Sequence, residues 1–132
     1  MANHYRLWVL IAGLLFALQA AAELAAQKDA ANGVTIVVTP GNLAQGAKTW
    51  DFNIAFDTHS QDLSDDLTAT AVLSDGKGSE FKPTAWDGAG PGGHHRKGVL
   101  KFAPISPQPD SVELRIARPG EAAPRVFRWQ LR

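Results

Sequence analysis

The chain predicts an all-β fold, a seven-stranded antiparallel β-sandwich of the immunoglobulin or fibronectin type, behind an N-terminal signal peptide. Three observations carry this. Short segments alternate apolar and polar residues with period two, turn-forming Gly, Pro, Asn, Asp and Ser separate them, and nothing after residue 33 repeats with the 3.6 period of a helix. At 132 residues with 13 basic and 13 acidic side chains, the chain is too short for a two-domain enzyme and too evenly charged for a nucleic-acid coat.

The first element is a targeting segment. Arg6 precedes Leu7 to Ala22, an apolar run without an ionisable group, and Ala20 and Ala22 have the small-x-small spacing of a signal-peptidase site. The expected cut follows Ala22, with Ala26 as the second choice. The run is shorter than the ~20 residues that span a bilayer, so a membrane tether through an uncleaved segment ranks behind cleavage. Residues 23–132 would then be a periplasmic or secreted protein, free of the membrane. It loses only Arg6 among the charged residues and holds no cysteine, so packing must replace disulfides.

Residues 23–32 are alanine-rich with few apolar anchors and read as a flexible leader; the sandwich domain spans 33–132. Strand A is Val34 to Thr39, stopped by Pro40-Gly41. Strand B is Trp50 to Asp57, where Trp50, Phe52, Ile54 and Phe56 alternate with polar or small residues. Strand C runs from Leu67 to Leu73 and ends at Ser74-Asp75-Gly76. Strand D, Phe81 to Trp86, is demoted to an edge by Pro83. Val99 to Phe102 make E, Val112 to Ile116 make F, and Val126 to Leu131 make G. Arg125 and Arg128 read as outer-face residues flanking buried Phe127 and Trp129. Charge is uneven: Asp51 to Asp87 holds eight acids against Lys77 and Lys82, and Arg96 to Arg132 holds eight bases against three acids. The two segments should attract each other when folded.

Candidate chemistry lies in the B-C loop, Asp57 to Asp66, and the D-E loop, Asp87 to Arg96. Loops alternate between the ends of a sandwich, and B and E are neighbours in an A-B-E-D sheet, so His59 should approach His94 and His95. Three imidazoles with Asp57 or Asp87 as a fourth partner suit Cu(II) or Zn(II), with Ni(II) behind them. Consecutive strand residues face opposite ways, which separates His94 from His95 unless Gly92-Gly93 turns the backbone. Arg96 would tie the loops by pairing with Asp57 or Asp87. The spacing meets no HExxH, CxxC or HxH signature, and each histidine taken alone is better explained by a hydrogen bond to a carboxylate or a loop carbonyl; their joint placement is what favours a metal. Ca(II) on Asp57, Asp62, Asp65 and Asp66 ranks lower, because the EF-hand spacing is absent.

Catalysis is not expected. Ser60 adjoins His59, but there is no strand-turn-helix elbow, and the glycines from Gly88 to Gly93 lead into a strand and not into a phosphate-binding helix. The bases of F and G lack interleaved exposed aromatics, so no nucleic acid is expected as a partner.

FDTHSQDLSDDL followed by WDGAGPGGHHRKGVLKF resembles a small family of exported bacterial β-sandwich proteins with DTHS and GGHHR segments, over Trp50 to Phe102 and weakly over Val126 to Leu131. The resemblance implies that His59, His94, His95 and Arg96 form one motif, and it brings no activity with it. In size, export and fold the chain is also similar to periplasmic copper carriers. It departs from them in having no cysteine and only Met1, which leaves a Cu(I) thioether or blue-copper site without ligands. The sequence thus leads to a non-catalytic divalent-metal binder, with a metal-free module for contacting a partner protein or envelope polymer as the alternative.

Overall fold

Two residues in left-handed conformation, Asn32 at φ 51° and Gly33 at φ 77°, turn the chain back on itself near its start. Asn-Gly is the pair that a tight two-residue hairpin favours, and the strands it joins are β1 (Gln27–Ala31) and β2 (Val34–Pro40). The computed structural model describes residues 24–132, so the targeting segment at 1–22 lies outside the described residues. Next come β3 (Trp50–Thr58), a single helical turn α1 (Leu67–Thr70), β4 (Ala71–Ser74), β5 (Glu80–Phe81), β6 (Ala85–Gly88), β7 (His95–Phe102), β8 (Ser111–Ile116) and β9 (Arg125–Gln130).

These strands form two antiparallel sheets, ordered β1-β2-β3-β7-β6 and β5-β4-β8-β9. The all-β expectation holds, with nine strands among the described residues where the pattern predicted seven. Within the segment read as a flexible leader, Gln27–Ala31 form β1, which the Asn32-Gly33 turn pairs with β2, and the reading is corrected there. Strand C opens as α1, where the Thr70 and Ala69 amides donate to the Asp66 carbonyl. Strand D divides at Pro83, which has no N–H to give a ladder: β5 joins one sheet and β6 the other. Strand E begins earlier, at His95.

Alternation sets the core. Val34, Ile36 and Val38 of β2, Trp50, Phe52, Ile54 and Phe56 of β3, and Leu100 and Phe102 of β7 face Leu73, Leu114, Ile116, Phe127 and Trp129 of the other sheet. Phe52 meets Phe102 edge-on at 5.7 Å between ring centroids and Trp129 at 5.6 Å. Burying a side chain of this size contributes about 1.5–3 kcal/mol, so these aromatics dominate the packing. Val126 lies on the outward side of β9 and is 44% exposed.

The flanks of the sandwich close differently. Along one, the Gln27 amide imitates a strand: its nitrogen donates to the Arg128 carbonyl, and its oxygen accepts from the Arg128 amide at 3.0 Å. The Trp129 indole reaches the Ala25 carbonyl at 2.8 Å on the same flank. Along the other, Trp86 of β6 lies over Gly98 and Gly88, which stand opposite each other in the β6–β7 ladder. A Cβ on Gly98 would sit 2.5 Å from the indole, so glycine here admits the ring.

Candidate functional site

The loops after β3 and before β7 meet as the strand order requires. The Thr58 amide donates to the His94 carbonyl at 2.9 Å, the Leu63 amide to the Gly93 carbonyl at 3.1 Å, and the Gly92 amide to the Leu63 carbonyl at 2.8 Å. Asp62 Oδ1 accepts from the Gly93 amide at 2.9 Å. Gly92 at φ 115° and Gly93 at φ 76° adopt backbone that other residues avoid, which bends this loop onto its neighbour.

Register then sorts the predicted site residues. Asp57 stands opposite His95 and Phe56 opposite Arg96, so parity sends the first pair outward and the second inward. His95 Nδ1 lies 2.5 Å from Asp57 Oδ1, with both side chains solvent-exposed. His94 and His59 are exposed and make no side-chain hydrogen bond. Asp87 is opposite Val99, four residues along β7 from His95 and so about 13 Å away. Of the His59, His94, His95, Asp57 and Asp87 side chains, Asp57 and His95 are the pair joined by a hydrogen bond among the described residues. Among the described residues no three His, Cys, Asp or Glu side chains are grouped as metal ligands.

The carboxylates of the calcium reading are each committed elsewhere. Asp57 holds His95, Asp62 holds the Gly93 amide, Asp66 accepts from the Thr68 hydroxyl at 2.8 Å, and Asp65 is buried against Arg118.

Arg96 ties the loops, but through carbonyls and not through Asp57 or Asp87. Its Nε donates to Ala89 O at 3.0 Å, and its Nη1 donates to the carbonyls of Asp65 and Leu63. The guanidinium also sits 5.4 Å from the centroid of the Trp86 ring. Residue 96 is 3% exposed, so each bond is made away from bulk water, where leaving it unmade would be costly.

Sequence reasoning missed the largest polar feature at this end. Asp65, Arg118, Glu121 and Arg125 form a buried chain of ions. Arg118 donates to both oxygens of Asp65 at 3.1 Å and to Glu121 Oε2 at 3.1 Å. Arg125 grips Glu121 with bonds of 2.6 and 2.9 Å and continues to the carbonyls of Ala31 at 2.7 Å and Val34 at 3.2 Å. The outer-face reading of Arg125 is thereby corrected: it shares parity with Phe127 and Trp129 and points inward with them. Arg118 likewise continues the inward series Val112, Leu114 and Ile116. That parity was the signal.

Hydrogen bonds from Arg125 hold the Glu121 carboxyl below its ordinary 4.5; burial opposes this, and the charges of Arg125 and Arg118 reinforce it. Glu121 raises the Arg125 pKa in return. A carboxylate whose folded pKa is depressed contributes stability that is complete above its unfolded pKa and is lost as pH falls through the folded one. The thermal midpoint of the protein should therefore drop below about pH 4.5, and Glu121→Gln should flatten that drop while lowering the midpoint at neutral pH. Melting curves from about pH 7 to pH 3 check this, and an unaltered acid limb in the variant would remove Glu121 from the account.

Concavities open to solvent lie elsewhere among the described residues, two of them sizeable. The larger, about 580 Å³, lies at the end away from the histidines among Leu24, Pro40, Leu43, Gln108 and Leu131. The other, about 490 Å³, lies on the outer face of the five-stranded sheet over Val37, Asn53, Ala55, Lys97 and Val99. Neither encloses the histidine rim. Compared with family profiles, curated proteins and solved structures, the chain matches none.

Proposed function

We propose that the chain is an exported, non-catalytic recognition module of immunoglobulin-like type, offering the rim around Asp57, His59, His94 and His95 to a partner protein or envelope polymer. The observation that carries this reading is the buried arginine set beneath the rim. Arg96, Arg118 and Arg125 fix the β3–α1, β6–β7 and β8–β9 loops before any partner arrives, and a surface ordered in advance loses less entropy on binding. The order β2-β3-β7-β6 facing β4-β8-β9 supports the immunoglobulin-like assignment, since it is the A-B-E-D and C-F-G arrangement with β1 and β5 added. The DTHS segment ends β3 and the GGHHR segment opens β7. Their adjacency across one ladder supports treating them as a single motif of the exported family that they resemble.

A second reading is favoured by the Asp57–His95 pair. A carboxylate on Nδ1 orients the imidazole and leaves Nε2 toward solvent, the arrangement a metal-binding histidine uses. In that reading Cu(II) or Zn(II) would draw His59 and His94 to His95. Thermal unfolding of chelator-treated protein with added Cu(II), Zn(II), Ni(II) or Ca(II) separates the two. A ligand that binds only the native state must raise the midpoint. The recognition reading expects no ion to move it. A rise of several degrees that disappears in His94→Ala/His95→Ala would replace that reading with the metal site.

A further inference from the structure

The outward residues of β3 are Asp51, Asn53, Ala55 and Asp57, and those of β7 are His95, Lys97, Val99 and Lys101. One strand offers only acids and the other only bases. They are paired Asp57 to His95, Ala55 to Lys97, Asn53 to Val99 and Asp51 to Lys101. They lie at the middle of the five-stranded sheet, flanked by β2 on one side and β6 on the other. Val37, Ala55 and Val99 floor the shallow concavity between them. Asp57 and His95 pair directly; Lys97, Lys101 and Asp51 enter no ion pair among the described residues, and Asp51 Oδ1 is covered without a hydrogen-bond partner.

An acidic strand beside a basic one complements itself under one symmetry operation. A two-fold axis parallel to the strands and midway between β3 and β7 lays β3 of one molecule over β7 of the other, twice. Asp51 then faces the second copy's Lys101, and Asp57 faces its His95. An axis perpendicular to the strands would instead set acid on acid and base on base, so the charge pattern selects one arrangement and opposes the other.

We propose that this face joins two copies of the chain back to back, β3 of each over β7 of the other, with Val37, Ala55 and Val99 at the centre. His59 and His94 stay free at the end of each copy, whereas Asp57 and His95 belong to both surfaces, so a rim partner that covers this pair and a second copy would compete for it. Under this axis β2, β3, β7 and β6 overlap and β1 lies beyond the overlap; four strands about 4.8 Å apart and about six residues long cover on the order of 400 Å² per copy, below the ~800 Å² of a standard interface. Association should therefore be weak and sensitive to salt.

Sedimentation velocity from about 5 to 500 μM tests it, a range that brackets weak dimers. The expected result is a dimer at high concentration that dissociates as salt is raised. Lys97→Glu/Lys101→Glu makes both strands acidic, and Asp51→Lys/Asp57→Lys makes both basic, so each variant alone should associate at least ~10-fold more weakly. An equimolar mixture should dimerise again, because each acidic strand then meets a basic one. A wild type that stays monomeric throughout overturns the proposal. So do variants that dimerise like wild type, or a mixture that stays monomeric while both variants keep the wild-type circular dichroism. Should a double variant lose its fold, Lys101→Glu and Asp51→Lys make the same comparison.

Discussion

Glu121→Ala is expected to lower the folding free energy by about 3–5 kcal/mol, because it leaves two guanidiniums buried without their shared carboxylate. Both Arg118 and Arg125 side chains are 4% exposed, so bulk water barely reaches the guanidiniums that lose these oxygens. Glu113 provides the control. It too serves two arginines, Arg115 and Arg128, but these are 35% and 69% exposed, and Glu113→Ala should change stability by no more than about 1 kcal/mol. Urea unfolding of the two variants compares them. Equal losses would mean that burial does not set the worth of these pairs.

Gly98→Ala is the second large effect, at about 2–3 kcal/mol of overpacking. The new methyl would meet the Trp86 ring at 2.5 and 2.7 Å and, behind it, the Gly88 Cα at 2.8 Å. The ring has little freedom to retreat: its Nε1 donates to the Ala89 carbonyl at 2.9 Å, and the Arg96 guanidinium rests on its face. Moving it would uncover the arginine that ties the loops. In a Trp86→Leu background the same substitution should cost at least ~1 kcal/mol less, a coupling that a double-mutant cycle reads directly. Gly88→Ala should show no such relief. Its two nearest obstacles are backbone, the Gly98 Cα at 2.4 Å and the Lys97 carbonyl oxygen at 2.6 Å, with the Trp86 ring farther off at 3.1 Å, and shortening Trp86 leaves the nearer two in place. Additive losses for Gly98 and Trp86 would show that the indole is not what excludes a side chain there.

Much of the fold was legible because one sheet face is buried and the other wet. Trp50, Phe52, Ile54 and Phe56 alternate cleanly, and β3 follows them residue for residue. The same rule reaches the polar site when it is applied to charged residues. Arg96 shares parity with Leu100 and Phe102, Arg118 with Ile116, and Arg125 with Phe127, so each points where its apolar neighbours point. For Arg125 the outer-face reading takes charge as a sign of exposure and sets that parity aside. Other features had weaker signals. The split of strand D depends on Pro83 falling between segments too short to show a period, and β1 depends on Asn32-Gly33, because Gln27 to Ala31 offers almost no apolar alternation. The convergence of His59 with His94 and His95 was inferred from loop adjacency, which fixes backbones and leaves side-chain direction open.

The Gln27 amide clasped to Arg128 spans 101 positions of chain, and the Trp129 to Ala25 bond spans 104. Contacts of such range form late, since the loop they close is nearly the whole described chain. During synthesis β1 can pair with β2 at once, but its cross-sheet partner does not exist until β9 has been made. One flank of the sandwich therefore stays ajar until β9 has emerged, and it is this strand, the last of those described, that seals it.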